Sequence, residues 1–202
     1  MNMITLNNRR IFAKSIWTVF VFCSVLAFGC NTFLPLLKKD SKPTDSNLLQ
    51  NGSFEKKDGW SISAPPNYQN YATLSMDTRV RQSGRQSAHI LIERHPRNDG
   101  IEVLHAWEQH VGAWPAQTSI VFGGWVRKEF GKIKMGLRCE FEKPVNGRNF
   151  INIQLEGPVA DGKFHHLKKT VRLPSIPTRI TFYAGMQTLG EAWFDNLYVR
   201  RQ

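Results

Sequence analysis

Apolar residues in this chain recur at every second position, in short runs. After residue 48 no segment keeps a helical apolar period for three turns. Met135, Leu137, Cys139 and Phe141 alternate with Gly136, Arg138, Glu140 and Glu142. Ile151, Ile153 and Leu155 alternate with Asn152, Gln154 and Glu156, and Ile180 and Phe182 with Thr181 and Tyr183. Further runs cover Ala88 to Ile92, Ser119 to Arg127, Thr170 to Leu173 and Trp193 to Val199, divided by Gly, Pro, Asn and Asp. Successive side chains of a strand point to opposite faces, so this pattern is that of antiparallel strands with one face on a core and one in water. Eight or so such runs with turn signals between them predict an all-β jelly-roll β-sandwich of two antiparallel sheets.

The first thirty residues read differently. Arg9, Arg10 and Lys14 precede an apolar run from Ile16 to Phe28, with no acidic residue. A basic segment followed by a short apolar one is the pattern of a secretory signal peptide. The run is short for a bilayer core of about 30 Å, and an uncleaved N-terminal anchor is the alternative. Leu26-Ala27-Phe28-Gly29-Cys30 resembles a bacterial lipobox, which implies cleavage after residue 29 and lipidation of Cys30; plain secretion is the other outcome. Residues 30–47, punctuated by Pro35 and Pro43 and otherwise largely polar, read as a tether, and 48–202 as the domain. With Cys23 in the signal and Cys30 acylated, Cys139 is left alone, and a lone thiol in an exported protein is best kept buried.

The charge balance narrows the partners. The formal charge is +11, and because three of the 27 basic residues and none of the 16 acids precede residue 30, cleavage leaves +8. Export argues against nucleic acid and for a bilayer surface or a polyanionic glycan, as long-range attraction.

Five motifs, in order, resemble carbohydrate-binding modules of families 4, 9 and 22. They are Asn51-Gly52-Ser53-Phe54-Glu55 with Gly59-Trp60, Ser83-Gly84 with Ser87-Ala88, Gly123-Gly124-Trp125-Val126-Arg127, Gly162-Lys163-Phe164-His165, and Trp193-Phe194-Asp195-Asn196-Leu197. The resemblance implies a galactose-binding-like jelly roll that binds polysaccharide without cleaving it. It also implies a structural calcium, for which Glu55 and Asp195 are the carboxylates; hydrogen-bonded edge residues are the alternative role for both.

A sugar ring needs an aromatic plate for its C–H face and planar polar groups for its hydroxyls. The outward parity of the middle strands supplies Arg138, Glu140, Asn152, Gln154 and Tyr183. Trp125 and Arg127 share one parity and are expected to join them on one carbohydrate-binding shelf. An ordinary solvated face laced with ion pairs is the alternative. Glu140 and Glu142 are neighbours on one strand and flank nothing, so they make a poor glycosidase pair. No G-x-S-x-G, H-E-x-x-H or P-loop is present, and His165 and His166 point apart on a strand. Loop aromatics Tyr68, Tyr71 and Trp114 are a second candidate site, with a cap on the sandwich core as the alternative role for one or two of them, and Trp60 and Trp193 are expected in the core. A sandwich that contacts a protein partner is the competing reading, since fold does not settle function.

Overall fold

The computed structural model describes residues 46–56, 58–94, 102–112, 114 and 119–202. The signal, Cys30 and all but the end of the tether lie outside the described residues. Ten strands follow one another among the described residues: β1 (Ser61–Ser63), β2 (Ala72–Asp77), β3 (Ser87–Ile92), β4 (His105–Val111), β5 (Ser119–Phe130), β6 (Ile133–Val145), β7 (Arg148–Glu156), β8 (Phe164–Arg172), β9 (Arg179–Met186) and β10 (Gly190–Arg201). Among the described residues one 3-10 helix, Pro66–Tyr71, precedes β2. The strands form two five-stranded antiparallel sheets, in the order β1-β4-β9-β6-β7 and β2-β3-β10-β5-β8. The all-β sandwich is the fold that the alternating pattern predicts.

Alternation makes the core. The inward parity of β6 and β9 places Ile133, Met135, Leu137, Ile180, Phe182 and Met186 between the sheets, against Ile90, Ile120, Phe122 and Phe194 of the second sheet, all essentially without solvent contact. Burying one such side chain is worth about 1.5–3 kcal/mol. Cys139 lies on the same inward parity and is fully buried. Burial pushes its thiol up to about 12, so it stays neutral and unreactive at physiological pH.

The opening motif has a mechanical explanation. Asn51 and Phe54 take positive φ of 51° and 58°. The Asn51 side chain ties the turn by accepting from Lys56 N–H and donating to the carbonyls of Lys56 and Asp58. Gly52 must be glycine, because a Cβ there would lie 2.0 Å from the Leu197 carbonyl oxygen. Phe54 is wholly buried and stacks on Trp60 at 4.8 Å, while Trp60 Nε1 donates to the Asn51 carbonyl. This turn docks on the last strand, with Leu48 N–H donating to Val199 and Leu197 N–H to Gly52, each at 2.8 Å.

Two tryptophans are buried in different ways. Trp193 is buried, but on the outer face of its sheet, roofed by His89 at 4.9 Å and by the Arg127 guanidinium at 5.0 Å. Trp114 is buried within the core cluster rather than displayed on a loop. Tyr68 and Tyr71 lie together on the 3-10 helix, ring centres 6.3 Å apart.

Candidate functional site

Cross-strand register decides which outward side chains meet. On the first sheet one row runs Ser61, Glu108, Tyr183, Gly136, Gln154 across all five strands. The next row runs His110, Thr181, Arg138, Asn152. A third brings Arg179, Glu140 and Phe150 abreast. These rows supply most of the lining of a trough of about 390 Å³. Five of the seven sequence-predicted binding residues, Arg138, Glu140, Asn152, Gln154 and Tyr183, line it.

Tyr183 lies flat because Gly136 beside it has no side chain; a Cβ there would come within 2.9 Å of the Tyr183 hydroxyl oxygen. The ring is 5% exposed. Its buried hydroxyl has the Gln154 side chain as polar neighbour and no geometrically complete hydrogen bond among the described residues. Burial raises its pKa, so it is a proton donor at physiological pH. Arg138 packs over the half-exposed Phe150 ring at 4.5 Å and pairs with Glu140 at 3.5 Å. His110 Nδ1 lies 3.0 Å from the Thr181 hydroxyl and meets the Arg179 guanidinium. The trough therefore mixes carboxylate, guanidinium, amide and hydroxyl, as recognition of a polyhydroxylated neutral ligand requires.

Trp125 and Arg127 do not join this shelf, which corrects the expectation above. Both point outward, but from β5, on the other sheet. Period two says that a side chain leaves the core; it does not say through which sheet. Arg127 is held by Glu129 and by the Trp193 ring. Trp125 lines a separate groove. The sequence reading also missed Glu108, Arg179 and Thr181 as lining residues. Arg179 and Thr181 share the parity of Tyr183, so the signal was there. Glu108 was obscured because its neighbour Gln109 faces inward, where it accepts from Gln50 N–H at 2.6 Å and donates to the Gln50 and Gly59 carbonyls.

Glu55 and Asp195 come to one corner, at the opening turn. Asp195 is fully buried; it accepts from the backbone N–H groups of Gln82 and Ser83 at 3.0 Å and of Asn196 at 2.7 Å. Burial raises its pKa despite those bonds, and the nearby Glu55 charge adds to the rise. Glu55 accepts from Arg85 N–H at 2.9 Å and Arg85 Nε at 3.2 Å. The Arg85 amide and guanidinium hold its carboxyl below the usual range. Calcium takes six to eight oxygens. Here both carboxylates already accept N–H donors, Arg85 supplies the positive charge, and no three His, Cys, Asp or Glu side chains cluster among the described residues. Both carboxylates thus have the hydrogen-bonded role named above as the alternative to calcium.

Solved structures share this architecture. A family 16 carbohydrate-binding module aligns over 76% of this chain and 99% of its own length, at a TM-score of 0.57 and 14% identity. The fold is that of a carbohydrate-binding module. The first family 22 module of Paenibacillus barcinonensis Xyn10C, described as a xylan-binding domain, aligns over 80% of this chain and 97% of its own, at 0.54 and 14%. The enzymatically active domain of tailspike protein 4 of bacteriophage CBA120 aligns over 77% of this chain at 0.59 and 14%, and this chain spans about a fifth of that protein, 21%. No protein-family model matches the sequence, and no curated protein does.

Proposed function

We propose that this carbohydrate-binding-module fold binds a neutral polysaccharide in the trough of the first sheet, without cleaving it. The observation that carries this is the convergence of Arg138, Glu140, Asn152, Gln154 and the Tyr183 hydroxyl from three neighbouring strands on one trough. Hydroxyls of a sugar chain pair with fork-shaped and amide groups of this kind, and the buried Tyr183 hydroxyl beside Gln154 donates to one of them. The shared fold with modules of families 16 and 22 supports the ligand class. Glu140 is tied to Arg138 on its own strand, which suits holding a ligand better than proton transfer. In the same reading the protein is exported and held to a bacterial envelope membrane by a lipidated Cys30, with residues 30–47 as tether; the apolar run before a cysteine supports it.

Titration calorimetry of the full chain against neutral oligosaccharides tests the site. Gln154→Ala and Tyr183→Phe are each expected to weaken the ligand that binds by about tenfold or less. Unchanged affinity in both overturns the site, and no binding across xylan, glucan and galactan oligomers overturns the function. Product release from any of these oligomers overturns the non-catalytic reading. Mass spectrometry of the mature N-terminus tests the anchor, with an acylated Cys30 expected and a free one against it.

A further inference from the structure

The trough is not uniform along its length. Its lining is polar except at one end, where an aliphatic side chain stands beside an amide. β4 and β9 pair as far as His105 and Met186, both of which point inward and are buried. The next positions on the two segments, Leu104 and Gln187, have the opposite parity, and both line the trough. Leu104 is the one aliphatic side chain among its described lining residues. Gly185 lets it lie there. A Cβ at that position would stand 2.9 Å from Leu104 Cδ1 and 2.4 Å from the His105 carbonyl oxygen, so the leucine rests on the sheet where any larger residue would displace it. Leu104 is half-buried, which leaves part of its surface to the trough.

Gln187 supplies the second feature. Its backbone N–H donates to the Lys132 carbonyl at 2.9 Å, which fixes the main chain just past β9. Its side-chain Oε1 is enclosed and has no hydrogen-bond partner among the described residues. An enclosed amide oxygen without a donor is costly, so a ligand that supplies the donor gains on binding. The last torsion of a glutamine side chain is broad and two-fold, so the amide turns to the trough at little cost. It presents an acceptor and a donor side by side, and the matching pair is found on another amide. A hydroxyl offers no apolar group to Leu104, and a carboxylate offers no donor to Oε1. An acetamido group offers an N–H, a carbonyl and a methyl together. We propose that this end of the trough is a subsite for the acetamido group of an N-acetylhexosamine, its amide on the Gln187 amide and its methyl on Leu104. The inference rests on the trough being the polysaccharide site and names the sugar that this end selects.

Calorimetry of the full chain against matched β-1,4-linked oligomers of glucose and of N-acetylglucosamine, which differ only in the group at carbon 2, reads the subsite. Both are expected to bind, the acetamido oligomer about tenfold more tightly, since one buried methyl and one amide pair are together worth about that factor. Gln187→Met keeps the shape and loses the amide, and Leu104→Ala removes the apolar contact. Each is expected to bring the two affinities to within about threefold of one another. The affinity for the glucose oligomer stays near wild type in both, which shows that the trough is intact. Equal affinity for the two oligomers in the wild type, or tighter binding of the glucose oligomer, overturns the subsite and leaves the trough as the polysaccharide site. A preference that survives both substitutions also overturns it. If neither oligomer binds, the subsite is overturned, and the trough reading falls with it when the xylan and galactan oligomers fail too.

Discussion

Asp77 shows how one outward carboxylate can organise a face. It accepts from Arg79 N–H at 2.7 Å and from Trp193 Nε1 at 3.0 Å, and so fixes the indole against which His89 and Arg127 stack. Burial works to raise its pKa, but the Arg79 amide, the indole and the Val80 amide together outweigh burial and lower it below the ordinary 3.8. An acid whose folded pKa is depressed stabilises the fold above its unfolded pKa, and that stability is lost as pH falls through the folded value. Asp77→Asn keeps one acceptor and loses the charge. The variant is expected to be about 1–2 kcal/mol less stable at pH 7, which lowers the melting temperature by roughly 2–8 °C. Below about pH 4 the gap between the two proteins closes, because the wild-type carboxyl is then protonated in the unfolded chain and losing its advantage in the folded one. Melting curves from pH 3 to 7 read this, and a gap that stays constant across that range contradicts it.

At the scale of elements, β10 carries the feature that shapes the groove lined by Trp125 and Tyr198. Asp195 pairs with Trp125 and Tyr198 with Gly123, so three residues of β10 span what two of β5 span. This is a β-bulge, and Asn196 within it has φ of 49°. The extra residue returns Leu197 to the core, turns Tyr198 outward over Gly123, and leaves Asn196 Nδ2 to donate to Gln82 Oε1 at 2.8 Å and Ser83 Oγ at 2.7 Å. Glycine accepts this backbone and a β-branched residue does not. Asn196→Gly is expected to cost only the side-chain bonds, about 1 kcal/mol. Asn196→Val adds backbone strain of about 1–3 kcal/mol. Chemical denaturation of the two variants measures the difference, and equal stabilities contradict the assigned strain.

The same strand shows what a single sequence displays and what it hides. The alternation in β6, β7 and β9 was plain, and it correctly set Arg138, Glu140, Asn152, Gln154 and Tyr183 on one surface, because these strands are neighbours in one sheet. Trp125 carries the same outward signal yet faces the other way, since a sandwich has two outer faces and parity does not distinguish them. β1 is only three residues long and β4 holds an inward Gln109, so neither kept a clean period, and Glu108 went unread. Gly123 and Gly136 read as turn residues or weak points in a strand. Their role as floor space for a tyrosine depends on cross-strand partners that the linear chain does not display.

For the molecule as a whole, the place where the chain enters the sandwich bears on stability. Asn47 donates through Nδ2 to the Leu197 carbonyl at 2.8 Å. Its Oδ1 accepts from Val199 N–H at 3.0 Å and Leu49 N–H at 3.1 Å. These contacts, with the Leu48 to Val199 and Leu197 to Gly52 backbone bonds, join segments some 150 positions apart and place the start of the domain against β10, the middle strand of its sheet. A chain closed over so long a loop has already met most of the entropic cost when its two ends meet, because that cost grows only logarithmically with length. The remaining gain rests on the bonds at the join. Asn47→Ala removes three partners at once, two of them backbone groups of the final strand, and is expected to destabilise the domain by about 2–4 kcal/mol. Asn47→Asp retains an acceptor for Val199 and Leu49 and loses only the donor to Leu197, so it is expected to lie between wild type and Asn47→Ala. Urea unfolding of the three proteins gives the order. If Asn47→Ala unfolds with wild type, Asn47 does not belong to the folded unit in energetic terms, and the sandwich closes without it.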